Sequence, residues 1–236
     1  MLPGLGMLQT VSVLNAFITA GTALILFMFL FTFTSTVFYY LQTDIVDRTY
    51  ADPGARTAFF ARIDFSVNTL ALLTQAFLTG RIIRWFGLGV ALAILPVVTV
   101  LGLAWLGVAP TLGVLFLVQV VRRGWNYGLM KPALEALYTV IPREEKYKAK
   151  NFIDTTVYRT GDQLGAWSNK GLLALGLTFT SMAFLTVPLA GIWVGTGIML
   201  GIASSNTHAA IIGQLDRYGL GHYFHTIIGK EDLPVK

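Results

Sequence analysis

The chain has 236 residues, 55% of them hydrophobic and only 12% charged. An ordinary soluble domain carries roughly 25% charged residues, so this composition, with a mean hydropathy of +0.66, excludes that class and points to a polytopic membrane protein. The formal net charge of +5 would suit nucleic acid in a soluble chain, but in a membrane chain it reports loop orientation, and no nucleic-acid partner is expected; the absence of cysteine excludes disulfide frameworks, thiolate metal sites and cysteine nucleophiles.

A bilayer core of ~30 Å needs about 20 apolar residues in one helix. Residues 1–19 read as a connector or a short interfacial segment, and no Lys or Arg precedes Arg48, so the basic flank of a secretory signal is missing. The first expected span is 20–41, ended by the polar run QTDIVDRTYADPGAR. A second, 59–78, stops at GRIIRWFG; a third, 88–107, closes on the VAPT turn; a fourth covers 111–137. A polar hinge, 142–150, precedes the fifth span at 151–173, and the sixth, 178–202, is followed by a tail, 204–236. The fold class expected is therefore an all-α membrane protein with six transmembrane helices, with no convincing repeat in the sequence.

With an even number of spans, both termini lie on one side. Placing them in the cytoplasm puts Arg81, Arg84, Arg143, Lys146, Lys148, Lys150, Arg217, Lys230 and Lys236 inside and only Arg48, Arg56, Arg62 and Lys170 outside, as the positive-inside rule prefers.

The fourth span carries Arg122 and Arg123 eleven and twelve residues after Thr111, roughly 16 to 18 Å along a helix and near the bilayer midplane. Central arginines are costly in hydrocarbon and face a bundle interior or a wet cavity, so one of the pair is expected to line a cavity while the other pairs with an acid or snorkels. Asn126 shares a face with either arginine, and Lys131 and Glu135, at i, i+4, can pair with each other. Pro132 permits a kink between them. Gly124 with Gly128, and Gly161 with Gly165, are steps for close helix packing.

In the fifth span Asn151, Asp154, Tyr158, Asp162, Gly165 and Asn169 recur at helical spacing and make one polar stripe. Such a stripe must face protein or water. Arg159 sits one position off it, either in a local pair with Asp162 or with a substrate or gating role. Asp64, Asn68 and Gln75 of the second span add to a cationic and amidic interior, the pattern of a pathway for a charged solute.

The run KPALEALYTVIPREEKYKAKNFIDTTVYRTGDQLGAW resembles the signature of the nucleotide transporter family. That family comprises the ADP/ATP carriers of plastids and intracellular bacteria and their bacterial relatives, within the major facilitator superfamily. GRIIRWFG looks like the short basic Gly-Arg loop of major facilitators. The resemblance covers about 20–203 and corresponds to the C-terminal six helices of a twelve-helix carrier. It implies that Lys148, Lys150, Ile153, Asp154, Arg159, Gly161 and Gly165 match the family's fifth-span pattern, and Pro132 and Glu135 its fourth-span pattern. Two positions depart from it. Leu134 stands where nucleotide carriers have a basic residue, and Asp162 where the plastid type has lysine.

The resemblance implies alternating access for an anionic solute, nucleotide exchange included, in a bacterial inner membrane. Arg122 or Arg123, Asn126 and Arg159 are expected to supply contacts, with Lys131, Glu135, Asp154, Tyr158 and Asp162 in the stripe and in pairs that break and reform. Major facilitators use two six-helix halves, so a partner is expected: an N-terminal half, a homodimer mate or other membrane subunits. The rival reading is a non-transporting structural or assembly subunit. An enzyme is not expected, because no His, Cys or activated Ser accompanies the aspartates. No cofactor or metal is expected either: His208, His222 and His225 lack a third ligand at fixed spacing, and no dinucleotide fingerprint or P-loop is present.

Overall fold

A computed structural model describes residues 3–138 and 143–217, with the side chains of 21–138, 146–178 and 181–201. Among the described residues there is no strand. The helices are α1 (Pro3–Thr49), α2 (Pro53–Leu73), α3 (Thr79–Val108), α4 (Leu112–Trp125), α5 (Lys131–Leu137), α6 (Arg143–Phe152), α7 (Tyr158–Ala174) and α8 (Phe179–Arg217). Single π turns join α2 to α3 (Thr74–Leu78), α4 to α5 (Asn126–Met130) and α6 to α7 (Ile153–Val157).

Local chemistry sets the boundaries. Asp52 caps α2 by accepting from the Ala55 N–H at 2.8 Å, with Pro53 in the first turn where its missing N–H costs nothing. Thr111 caps α4 through Val114. At the end of α7 the N–H of Gly176 bonds Leu173 O and that of Leu177 bonds Leu172 O, a Schellman motif that needs the left-handed backbone Gly176 supplies at φ 80°. Gly87, at φ 79° and ψ 172°, breaks α3 into two rods with a single residue between them. A side chain there would be strained.

The described residues thus form six rods: α1; α2 through Phe86; α3 from Leu88; α4 with α5; α6 with α7; and α8. One apolar cluster joins Ala23, Leu92, Leu134, Ile153 and Leu200, and a second joins Val46, Leu106, Leu115 and Ala183. The rods therefore alternate in direction between a near end, marked by the first cluster, and a far end. Among the described residues three stretches are long and apolar enough to cross a membrane: Gly21–Thr49, Pro53–Val108 (two rods meeting at Gly87) and Ser181–Gly201. The stretch 1–19, expected as a connector, is helical from Pro3 and continuous with the first rod. The sixth runs to Arg217, into the expected tail, while 218–236, with His222 and His225, lie outside the described residues.

Packing supplies a repeat that the sequence did not reveal. Rod 1 packs parallel to rod 5, where Gly161 meets Phe29 and Thr32 and Gly165 meets Thr36. Rod 2 packs parallel to rod 4, where Gly124 meets Leu70 and Gly128 meets Thr74. Rod 3 runs antiparallel against rod 6, with Gly89 on Gly201 and Gly197 on Ala93. Rods 1 and 6 pack together, as do rods 3 and 4. Exchanging rods 1, 2, 3 with rods 4, 5, 6 maps this set of contacts onto itself and reverses each direction, which is the pattern of an inverted repeat.

The first two π turns face each other, and Pro132 explains one of them. Its ring clashes with the carbonyl of the residue four before it, Gly128, in a regular helix. The π turn lets the Lys131 N–H reach back to Asn126 O, which releases the carbonyls of Tyr127 and Gly128. Both are taken by rod 2: Gln75 Nε2 donates to Tyr127 O at 2.9 Å, and Thr79 Oγ1 to Gly128 O at 2.5 Å. The expected kink at Pro132 is thus a π turn bolted to its neighbour.

Candidate functional site

The site is built where rods 1, 4 and 5 meet, midway between the ends. Arg122 is 6% exposed. Its Nη2 donates to Ser35 Oγ at 2.5 Å, its guanidinium lies 4.5 Å from the centroid of the Phe38 ring, and its Nε has no hydrogen-bond partner. No carboxylate pairs with it among the described residues. One turn back, Gln119 Nε2 donates to Gln42 Oε1 at 2.6 Å while its own Oε1 stays unpartnered. One turn on, Asn126 Oδ1 is buried and unpartnered in the π turn. Arg122, Gln119 and Asn126 share one face of rod 4, and Ser35, Phe38 and Gln42 share one face of rod 1.

Rod 5 completes the site. Gly161 and Gly165 let it approach so closely that an added Cβ would meet Thr32 Cβ at 3.0 Å and Thr36 Cβ at 2.9 Å. That approach brings Thr36 Oγ1 to Asp162 Oδ1 at 2.6 Å. Tyr158 packs on Phe31 and lies within electrostatic reach of Arg122, Arg159, Asp162 and Tyr127. Ser35 holds Arg122 and Thr36, the next residue, holds Asp162. Opposite charges at one level are thus each tied to a neutral hydroxyl of rod 1.

Several sequence expectations need correction. Arg123 does pair with an acid, Asp64, at 2.8 Å, but Arg122, the candidate for a cavity wall, is enclosed by protein against Phe38. Lys131 and Glu135 do not pair. Lys131 lies 4.5 Å from the centroid of the Tyr127 ring, and Glu135 is bridged by Lys150 of α6, the helix that stands from Arg143 onward where a polar hinge over 142–150 was expected. Arg159 and Asp162 do not pair either, since Gly161 draws the Thr36 hydroxyl onto Asp162 first. Arg159 and Asp154 are exposed and make no ion pair among the described residues. Of the polar stripe, Asn169 is buried and lies away from the site, toward rod 6.

Sequence reading missed Ser35, Thr36, Phe38 and Gln42. The signal was the hydroxyl run TFTST in the first span: in a helix these hydroxyls bond their own i−4 carbonyls, as Thr32, Thr34 and Ser35 do, and so pass for apolar filling.

Outside the site, the Lys150 ammonium is held above its usual range, first by its hydrogen bond to Glu135, against the opposing pull of desolvation.

A buried guanidinium with a hydroxyl and a ring for company keeps most of its donors free and is geometrically suited to a carboxylate or phosphate. No family model, curated protein or solved structure matches the chain.

Proposed function

We propose that the chain is a secondary carrier for an anionic solute, or one six-helix half of such a carrier of the major facilitator type, with all six rods crossing the bilayer. Arg122 carries this reading. A guanidinium deep in a greasy bundle, with no carboxylate paired to it among the described residues, is expensive to hold unless an anion visits it. The inverted packing of rods 1–3 on rods 4–6 supports it, because transporters place solute sites at the interface of such repeats.

The exposed charges say where a partner belongs. Arg123 and Asp64 remain 35% and 55% exposed at the level of Arg122, and Arg159 is exposed one turn from the site. Charges at that depth do not face hydrocarbon, so this side of the bundle turns toward an aqueous cleft or a second six-helix half. In the carrier reading the solute exchanges with Ser35 as the ligand of Arg122, Tyr158 and Asn126 contribute polar contacts, and Arg159 draws anions in. The Glu135–Lys150 bridge, tying rod 4 to rod 5 at the near end, opens and closes between states. Small organic anions and nucleotides are the solutes to test. The assembly-subunit reading requires every intramembrane charge to be locked in a fixed pair, and Arg122 and Arg159 speak against it.

The test is uptake of labelled nucleotides and small organic anions into proteoliposomes, with and without internal counter-substrate. Losing a charged hydrogen bond at the site is expected to lower uptake roughly 10- to 100-fold in Arg122→Met. The same variant should melt no lower than the parent, since replacing a buried, unpaired charge by an apolar side chain of similar volume is neutral or stabilising. Uptake unchanged by Arg122→Met, or absent for every anion while the protein copurifies with other membrane subunits, overturns the proposal in favour of the assembly role.

A further inference from the structure

A crevice of about 480 Å³ opens between α1, α7 and α8, and Arg122 is not among its lining residues. That volume lies within the roughly 300–1,000 Å³ of ordinary small-molecule sites. Its walls are Ser168, Asn169 and Leu172 on α7 with Leu175 just past its end, then Met182, Leu185, Thr186 and Leu189 on α8, closed by Phe33 and Val37 of α1. It exists because α7 and α8 scarcely touch below their connecting turn, and because Gly171, lacking a side chain, leaves open space where a Cβ would meet nothing within 4 Å.

One feature of the lining is out of keeping with its apolar character. Asn169 is 3% exposed, and both its Oδ1 and its Nδ2 lack a hydrogen-bond partner. A buried bare amide is costly. It points to a ligand with a polar group at that level and an apolar remainder.

Depth identifies the ligand. Asn169 precedes the last residue of α7, Ala174, by five residues, about 7.5 Å of helix, so the amide sits just inside the far end of the bundle. Leu189 lies ten residues into α8 from Phe179, about 15 Å, half of a ~30 Å hydrocarbon core. The crevice therefore runs from the interfacial level to the midplane, the territory of one lipid tail in one leaflet. Its mouth is flanked by Leu175 and Leu185, 79% and 53% exposed, on the side facing the bilayer if the rods span it.

We propose that this crevice binds one acyl chain of a membrane phospholipid, whose ester carbonyl accepts from Asn169 Nδ2 after a turn about χ2, while Oδ1 takes a headgroup hydroxyl or water. The proposal rests on the membrane-spanning part of the functional reading and on nothing about the transported solute. An acyl chain wedged between α7 and α8 sits against the helix that carries Tyr158, Arg159 and Asp162, so lipid composition is a means of setting the position of rod 5.

The test uses the full chain in vesicles of phosphatidylethanolamine and phosphatidylglycerol, with a trace of diacyl phosphatidylethanolamine carrying a mid-chain diazirine in one tail. Photolysis, digestion and mass spectrometry locate the adducts. Label is expected to concentrate on Met182, Leu185 and Leu189 over the exposed reference Trp105 on rod 3. Asn169→Leu should lower it there roughly fivefold, the value of one hydrogen bond. Gly171→Phe, which fills open space, should lower it too, with Trp105 unchanged in both. Label at the crevice no stronger than at Trp105, label insensitive to both substitutions, or adducts replaced there by crosslinks to a second polypeptide would each overturn the proposal. Absence of label from Trp105 as well would mean that the rods are not in the bilayer, and would sink the functional reading with it.

Discussion

Rods 2 and 5 occupy equivalent places in the inverted repeat, and their contrast locates the chemistry. Each buries a single narrow stripe: Ile63, Val67, Ala71 and Thr74 in one, and Ile153, Val157, Gly161, Gly165 and Asn169 in the other. Each is held to a parallel neighbour through paired glycines. What they do with their polar residues differs. Rod 2 commits Asp64, Gln75 and Thr79 to rod 4 and exposes Phe65, Leu72 and Phe77. Rod 5 ties Asp162 to rod 1 and Lys150 to Glu135 of rod 4, and leaves Asp154 and Arg159 without ion pairs among the described residues. Similar packing with different use of polar groups separates scaffold from chemistry here: the backbone contacts are duplicated, while the buried side-chain atoms without a hydrogen-bond partner among the described residues lie, Thr74 Oγ1 apart, on rods 4 to 6.

The largest effects should come from breaking the shared feature. Gly128→Val and Gly161→Val each force a Cβ against a neighbouring rod, at 2.7 Å from Thr74 Cβ and 3.0 Å from Thr32 Cβ. Each is expected to cost about 1–3 kcal/mol by overpacking. Thermal unfolding in detergent should therefore fall similarly for both, and a large loss for only one would break the equivalence of the two rod pairs.

A smaller and sharper contrast lies in the charges. Asp64→Asn removes an ion pair that is half exposed, and should cost at most about 1 kcal/mol when water reaches that face. Arg159→Gln removes a charge with no ionic partner and should stay within about 0.5 kcal/mol while lowering anion uptake. If the two substitutions act alike on both stability and uptake, the distinction between the rods is lost.

The smallest effect concerns the Glu135–Lys150 bridge. Because Lys150 is held above its unfolded value of about 10.4, the stabilisation is complete below that pH and is lost only as pH rises through the raised value. The bridge is partly exposed, so it contributes less than about 1 kcal/mol. The difference in melting temperature between the parent and Lys150→Gln should be flat through neutral pH and close only in strong alkali.

Periodicity made much of this legible. The glycine steps and the place of Arg122 midway along rod 4 follow from counting residues along helices, and the length of the fourth span led to one of two arginines pairing with an acid or snorkelling. The polar stripe expected on rod 5 starts one position off the buried one, which begins with Ile153, Val157 and Gly161. Local pairing rules failed where a third rod intervened. Lys131 faces Glu135 on any regular helix, yet Lys150 arrives from α6. Asp162 is in reach of Arg159, yet a glycine beside it admits Thr36. The hydroxyls of rod 1 were hidden for a related reason, since a side chain that satisfies its own backbone gives no hint of which neighbour it will serve.

The corner at Gly87 has a mechanical consequence. With one residue between them, rods 2 and 3 have no slack and act as a rigid elbow. Its second arm meets α8 backbone to backbone where an added Cβ on Gly201 would sit 2.1 Å from Gly89 Cα, while its first arm is bolted to rod 4 through the two π turns. Any swing of rod 2 must therefore drag rods 3, 4 and 6 along as one lever, and the seams that must give are those between that lever and rod 1, along α8 and at the Ser35–Arg122 and Gln42–Gln119 contacts.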